Sequence, residues 1–172
     1  MHNFNGVYQG VVGENVRLLN ECHALLEPVT EAQYRQSTRH APENSLGRQV
    51  RHCIDHYHCL LSNLDGGAVD YDDRSRDKSL ELHPSIARDA LESVIARLAS
   101  LTPEEHRASV ELKLDDGGTA RSSVARELAF LASHTTHHFA LIAELGRQLG
   151  LCLDADLGVS TSTRRVREHS QA

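Results

Sequence analysis

Apolar residues return along this chain in steps of three and four, the spacing that lines one face of an α-helix. Over residues 7–26 they fall at Val7/Tyr8, Val11/Val12, Leu18/Leu19, Cys22 and Leu25/Leu26, and Pro28 closes the run. A second stripe follows Ser45, whose hydroxyl can cap a first turn. It comprises Leu46, Val50, Cys53, Ile54, Tyr57, Leu60/Leu61 and Leu64, and Gly66-Gly67 stops it. Pro84 suits the first turn of a third helix, where its missing N–H is not needed. Ile86, Ala90/Leu91, Val94/Ile95, Leu98 and Leu101 form that helix's stripe, and Pro103 is expected to end it.

Between 108 and 122 the period changes to two. Val110, Leu112 and Leu114 alternate with Ser109, Glu111 and Lys113 before the turn Asp115-Asp116-Gly117-Gly118, which predicts a short hairpin. Ser123 then caps a fourth helix, with Glu127 placed to favour its dipole and Gly150 just past its end near Leu149. The run from Asp70 to Lys78 is polar and reads as a solvated surface loop. Residues 154–172 are rich in Ser, Thr and Arg and read as an extended or frayed tail. The expected architecture is all-α: a four-helix bundle over 1–153, with a short β-hairpin before the last long helix and a polar C-terminal tail over 154–172.

Composition agrees. Aromatics make up only 4% and Trp is absent, so the core rests on Leu, Val, Ile and Ala, which suits long helices. The net charge of −6 and the lack of any dense Lys/Arg stripe argue against nucleic acid; Arg164, Arg165 and Arg167 are the one basic cluster. The opening Met1-His2-Asn3-Phe4-Asn5-Gly6 lacks the charged and apolar regions of a signal peptide, and no apolar stretch nears the roughly 20 residues that span a bilayer. A cytoplasmic protein with no membrane partner is expected, its four Cys (Cys22, Cys53, Cys59, Cys152) reduced.

Histidine changes the picture. Of 12, several gather in Val50-Arg51-His52-Cys53-Ile54-Asp55-His56-Tyr57-His58 and Ser133-His134-Thr135-Thr136-His137-His138. Each segment holds an i, i+4 pair, His52/His56 and His134/His138, which stacks two imidazoles on one helix face. Two ligands from one helix and one or two from its neighbour can enclose an ion within a bundle. On a helical wheel His138 lies about 40° and His134 about 80° from the apolar centre of the fourth helix, whereas His137 lies about 140° away. On the second helix His56 lies about 100° and His52 about 140° from the centre, with His58 on the opposite side. The wheel prefers His56 to His52 and leaves a three-His and a four-His site both open. Asp55, Glu144 and Glu14 are candidate acceptors for the outer imidazole N–H groups, and Asp55 and His56 candidates for a fourth ligand. His2, His23, His40, His83, His106 and His169 read as surface residues.

Ser45-Leu46-Gly47-Arg48-Gln49-Val50-Arg51-His52 resembles the first ligand helix of the DinB/YfiT-like superfamily, which opens with Ser-x-Gly and carries a His followed by an apolar residue. His134-Thr135-Thr136-His137-His138 resembles that family's H-x-x-x-H. The likeness implies a single divalent ion, Zn, Ni or Fe, bound by His52, His134 and His138, with His56 outside the ligand set. Many relatives follow the last ligand with Arg-Gly-Gln; here Phe139-Ala140-Leu141 stands instead, so no substrate contact is carried over there. The family includes transferases and isomerases that use low-molecular-weight thiols, which implies a metal-dependent thiol transferase acting on a small-molecule substrate. Tyr71, Asp72, Arg74 and Arg76 are candidates for a substrate rim. Two other readings compete: a non-catalytic metal-binding or stress-response protein, and a metal-free helical interaction module forming a homodimer.

Overall fold

The computed structural model describes residues 4–37, 42–65 and 67–170; His2 and His40, and the side chains of Val7, Tyr8 and His169, lie outside what it describes. Helix accounts for 62% of the chain and strand for 8%, so the sheet is an accessory to a helical body. Four long helices form that body: α1 Phe4–Leu26, α3 Leu46–Leu61, α5 Pro84–Ala99 and α7 Val124–Gln148. α1 packs on α5 and α7, and α3 packs on the same two, so each long helix touches two others. The stripes read from the sequence supply the core, including Leu18, Leu19, Ile54, Leu91 and Leu98, and Leu128 and Ile142 of α7 join them.

The caps are where the side chains predict them. The hydroxyl of Ser45 accepts from the Arg48 amide at 3.1 Å, and that of Ser123 from the Arg126 amide at 3.3 Å. Gly47 has a packing reason. A Cβ there would stand 2.1 Å from the Glu81 carbonyl oxygen and 2.8 Å from Tyr34, so its bare backbone lets α3 meet the short helix α4, Lys78–Leu82.

Three further short or polar helices escape the periodic pattern: α2 Glu31–Arg35, α6 Pro103–Arg107 and α8 Thr161–Ser170. Pro103 does not simply end the third stripe. It occupies the first turn of α6, where the Thr102 hydroxyl and Glu105 carboxylate form a capping box. His106, on α6, is buried rather than a surface residue. The hairpin forms as β2 Ser109–Lys113 antiparallel to β3 Thr119–Ser123, with Gly117 at φ 82° in its turn, and β1 Ala68–Val69 adds a parallel strand beside β2.

The C-terminal region also departs from the expectation of an extended tail. Leu157 joins the hydrophobic core, and Gly158, at φ 78°, lies so close to the backbone of Ala140 that a Cβ would stand 2.3 Å from its nitrogen. Arg164 of α8 donates to the carbonyls of Asp156 and Val159 and pairs with Glu21 on α1. The region is therefore fastened to α7 and α1. Phe139, directly after His138, is 1% exposed and belongs to the core.

Candidate metal centre

α3 and α7 pack side by side, and their His pairs meet at the contact. The Nε2 atoms of His52 and His134 are 3.0 Å apart. Ring centroids are separated by 4.3 Å for His52–His56, 4.3 Å for His52–His138, 4.3 Å for His56–His134 and 4.5 Å for His134–His138. All four imidazoles thus form one cluster. His137 is exposed on the outer face, as the wheel places it.

Ligand nitrogens of His52, His56 and His134 lie within 4.8 Å of one another, which makes these three a group able to hold an ion. The resemblance implies His138 in place of His56. His138 packs against His52 and His134, but its nitrogens fall outside that convergent group.

The donor chemistry fits a divalent transition metal. Ligand bonds of ~2.0–2.1 Å with an angle near 90–100° at the ion leave two nitrogens roughly 3 Å apart, the separation found for His52 and His134. Two of the rings have a settled tautomer. Nδ1–H of His56 donates to the His52 carbonyl at 2.7 Å, and Nδ1–H of His138 donates to Oε1 of Gln49 at 2.5 Å. In both, Nε2 is left as a lone pair. Gln49 is itself held, its Nε2 donating to Asn44 Oδ1 at 2.8 Å. Such outer partners orient an imidazole and raise its strength as a ligand.

Electrostatics keep the rings neutral. Burial pushes His52 down to about 3, and the neighbouring imidazoles and Arg74 push the same way. Burial also lowers His56 and His138 to about 4 each, and lowers His134. Neutral imidazole is the metal-binding form.

Asp55 turns elsewhere. Its carboxylate accepts from Ser75 at 3.3 Å and lies 3.9 Å from the Arg51 guanidinium, and burial raises its pKa. Glu144 accepts from Gln148, and Glu14 pairs with Arg17. The acceptors that serve the cluster are Gln49 and the His52 carbonyl.

The segment 70–76, expected as a solvated loop, reaches the cluster. Tyr71 stacks on His56 with centroids 5.4 Å apart, and its hydroxyl donates to the buried carboxylate of Glu127 at 3.0 Å. Nη1 of Arg74 comes to 3.4 Å from His56 Nε2. Phe130 stacks on His134 at 5.5 Å, four residues ahead of it on α7, and also meets Tyr71. Helical spacing signals Phe130 and Gln49, which continue the 134/138 and 52/56 faces by one turn; no sequence pattern announces Tyr71. Asp72 and Arg76, the other rim candidates, bond each other through the Asp72 carbonyl and the Arg76 guanidinium.

A separate cavity of about 440 Å³ lies between α1 and the segment 150–157, lined by Leu25, Val29, Leu151, Leu153 and Arg164 among others. No histidine of the cluster lines it. Cys22 and Cys53 are buried, Cys59 is half-buried and Cys152 exposed, all as free thiols. No described helix is long and apolar enough to cross a membrane.

No curated protein and no solved structure matches the chain. The family model for the DinB superfamily matches residues 15–142, a span that holds all four histidines of the cluster. This chain, with its imidazoles gathered where α3 meets α7, belongs to the DinB superfamily.

Proposed function

We propose that the four long helices are a DinB-type four-helix bundle whose cluster holds one divalent ion on His52, His134 and His138, and that the protein is a thiol-dependent transferase or isomerase of the cytoplasm. The observation that carries the metal reading is the 3.0 Å approach of His52 and His134 Nε2 from two different helices. Gln49, by fixing the His138 tautomer, favours His138 as the third ligand. His56 then keeps its Nε2 for Arg74 and positions that guanidinium at the edge of the site.

A bound divalent ion supplies Lewis acidity, which lowers the pKa of a thiol and stabilises its thiolate for attack on an electrophile. The chain's own residues provide the setting. Tyr71 and Phe130 wall the cluster with aromatic surface and thin the water around it. Glu127 holds the Tyr71 ring in place through its hydroxyl.

One observation favours a second ligand set: the nitrogens that converge belong to His52, His56 and His134. Alanine variants separate the two. In the first reading His138→Ala lowers bound metal as severely as His52→Ala does, while His56→Ala retains about one equivalent. Retention in His138→Ala with loss in His56→Ala overturns that assignment for the second. Catalysis is tested by incubating metal-loaded protein with several low-molecular-weight thiols and electrophiles. Conjugate formation that requires the ion is expected; full metal occupancy with no thiol consumed assigns the ion a structural role.

A further inference from the structure

Arg74 is a cation delivered on purpose to a site that itself gathers ligands for a cation. The loop that carries it is tied down at several points. Asp70 Oδ1 accepts from the amides of Asp72 and Asp73 at 3.0 and 3.2 Å, Tyr71 is fastened to Glu127, and Ser75 donates to Asp55. The Arg76 guanidinium grips the Asp72 carbonyl at 2.8 Å, while its own backbone takes φ 49°. Between these anchors Arg74 is half-buried and directs Nη1 at His56.

Among the described residues no carboxylate lies within 4.0 Å of the Arg74 guanidinium. Asp72 shares a hydrogen bond with Asp115, and three other acids nearby are committed to partners of their own. Asp70 faces Lys113 at 3.6 Å, Asp55 faces Arg51, and Glu127 takes Tyr71, Ser122 and Arg126. A half-buried guanidinium offers a planar fork of N–H donors and pays a desolvation penalty that an anion relieves. With a divalent ion in the cluster, the need for an anion at this edge grows.

We propose that Arg74 is the recognition residue for a carboxylate on the molecule that occupies the histidine site, so that the thiol or substrate it selects is a small carboxylic acid. This rests on the metal reading above. The arrangement places the guanidinium at one edge, with the rings of Tyr71 and Phe130 beside the imidazoles as an apolar wall for the ligand's body.

The test is calorimetric titration of metal-loaded full-length protein with 3-mercaptopropionate, with the uncharged 2-mercaptoethanol, and with propionate, which lacks the thiol. Wild type is expected to bind 3-mercaptopropionate about 10- to 100-fold more tightly than 2-mercaptoethanol, the range of a charge-assisted hydrogen-bonded pair. Arg74→Gln should bring the two thiols within about threefold by weakening the acid alone, and should weaken propionate in parallel. Arg74→Lys, which keeps the charge and loses the fork, should fall between, and it guards against a folding defect in the Gln variant. A thiol preference unchanged in Arg74→Gln at full metal occupancy overturns this proposal alone. Failure of wild type to bind metal overturns the metal reading and this one with it.

Discussion

Two polar groups join α3 to α7 on adjacent residues, Tyr57 beside His56 and Thr135 beside His134, and they are built on opposite principles. In the first, Tyr57 donates to Asn15 Oδ1 at 2.7 Å and meets Thr135 Oγ1 at 3.1 Å, while Asn15 Nδ2 donates to the Leu128 and Val11 carbonyls at 3.0 and 2.7 Å. All three side chains are buried and mutually satisfied. In the second, His52 and His134 meet through Nε2 at 3.0 Å, Arg74 Nη1 lies 3.4 Å from His56 Nε2, and Nε2 of His138 is left as a lone pair beside its neighbours. A closed network fixes the register of α1, α3 and α7; an open one keeps acceptors for something else. Imidazoles that converge with a lone pair to spare mark a place prepared for a ligand.

The comparison breaks if the two groups respond alike. Removing Gln49 has the larger expected effect: Gln49→Ala should weaken metal binding by about 10- to 100-fold, read by competition with a chelator, because His138 loses the partner that orients it. The melting temperature of the metal-free protein should stay close to wild type. Next, Tyr57→Phe should cost about 1–3 kcal/mol in urea unfolding, since Asn15 and Thr135 are left facing an apolar edge, while metal affinity holds. An equal loss of metal affinity in both variants would show that the histidines depend on the closed network.

The smallest effect is in pH. The folded-state pKa values of His52, His56, His134 and His138 lie below the ordinary histidine value, so the unfolded chain binds more protons between them. The stability linked to these rings is therefore complete above about pH 6.5 and is lost as pH falls toward about 4. His58 and His106, also lowered by burial, add to the same slope. Urea midpoints of metal-free protein should fall from pH 7.5 to pH 5, less steeply in His52→Ala and unchanged in slope for Tyr57→Phe, whose phenol stays neutral throughout. A flat profile in wild type contradicts the burial argument.

Much of this was legible in the residues. The long helices announce themselves because each buries a continuous stripe, and Ser45, Ser123 and Pro84 mark where three of them start. α2, α4 and α6 span five residues each, too short for a periodic stripe to emerge, and β1 is two residues long. α8 is polar enough to pass for a tail, and its attachment depends on Arg164 and the close approach at Gly158, which are tertiary facts.

At the site, the i, i+4 pairs identify all four imidazoles. The wheel's preference for His56 over His52 agrees with their burial, but it treats everything off the apolar stripe as facing water. In the folded chain that flank of α3 faces α7 and the loop 70–76, so His52 is half-buried there. Tyr71 and Arg74 come from a segment whose composition reads as solvent-facing, and only its anchors on Glu127 and Asp55 turn it inward. No local pattern encodes that.

The most direct check on the whole account is the metal content of untagged full-length protein, purified without added metal and measured by elemental analysis. The account predicts about one equivalent of a transition metal per chain, falling below about a tenth in His52→Ala. A wild-type protein with less than about a tenth of an equivalent, and no uptake when Zn, Ni or Fe(II) is supplied, would contradict it.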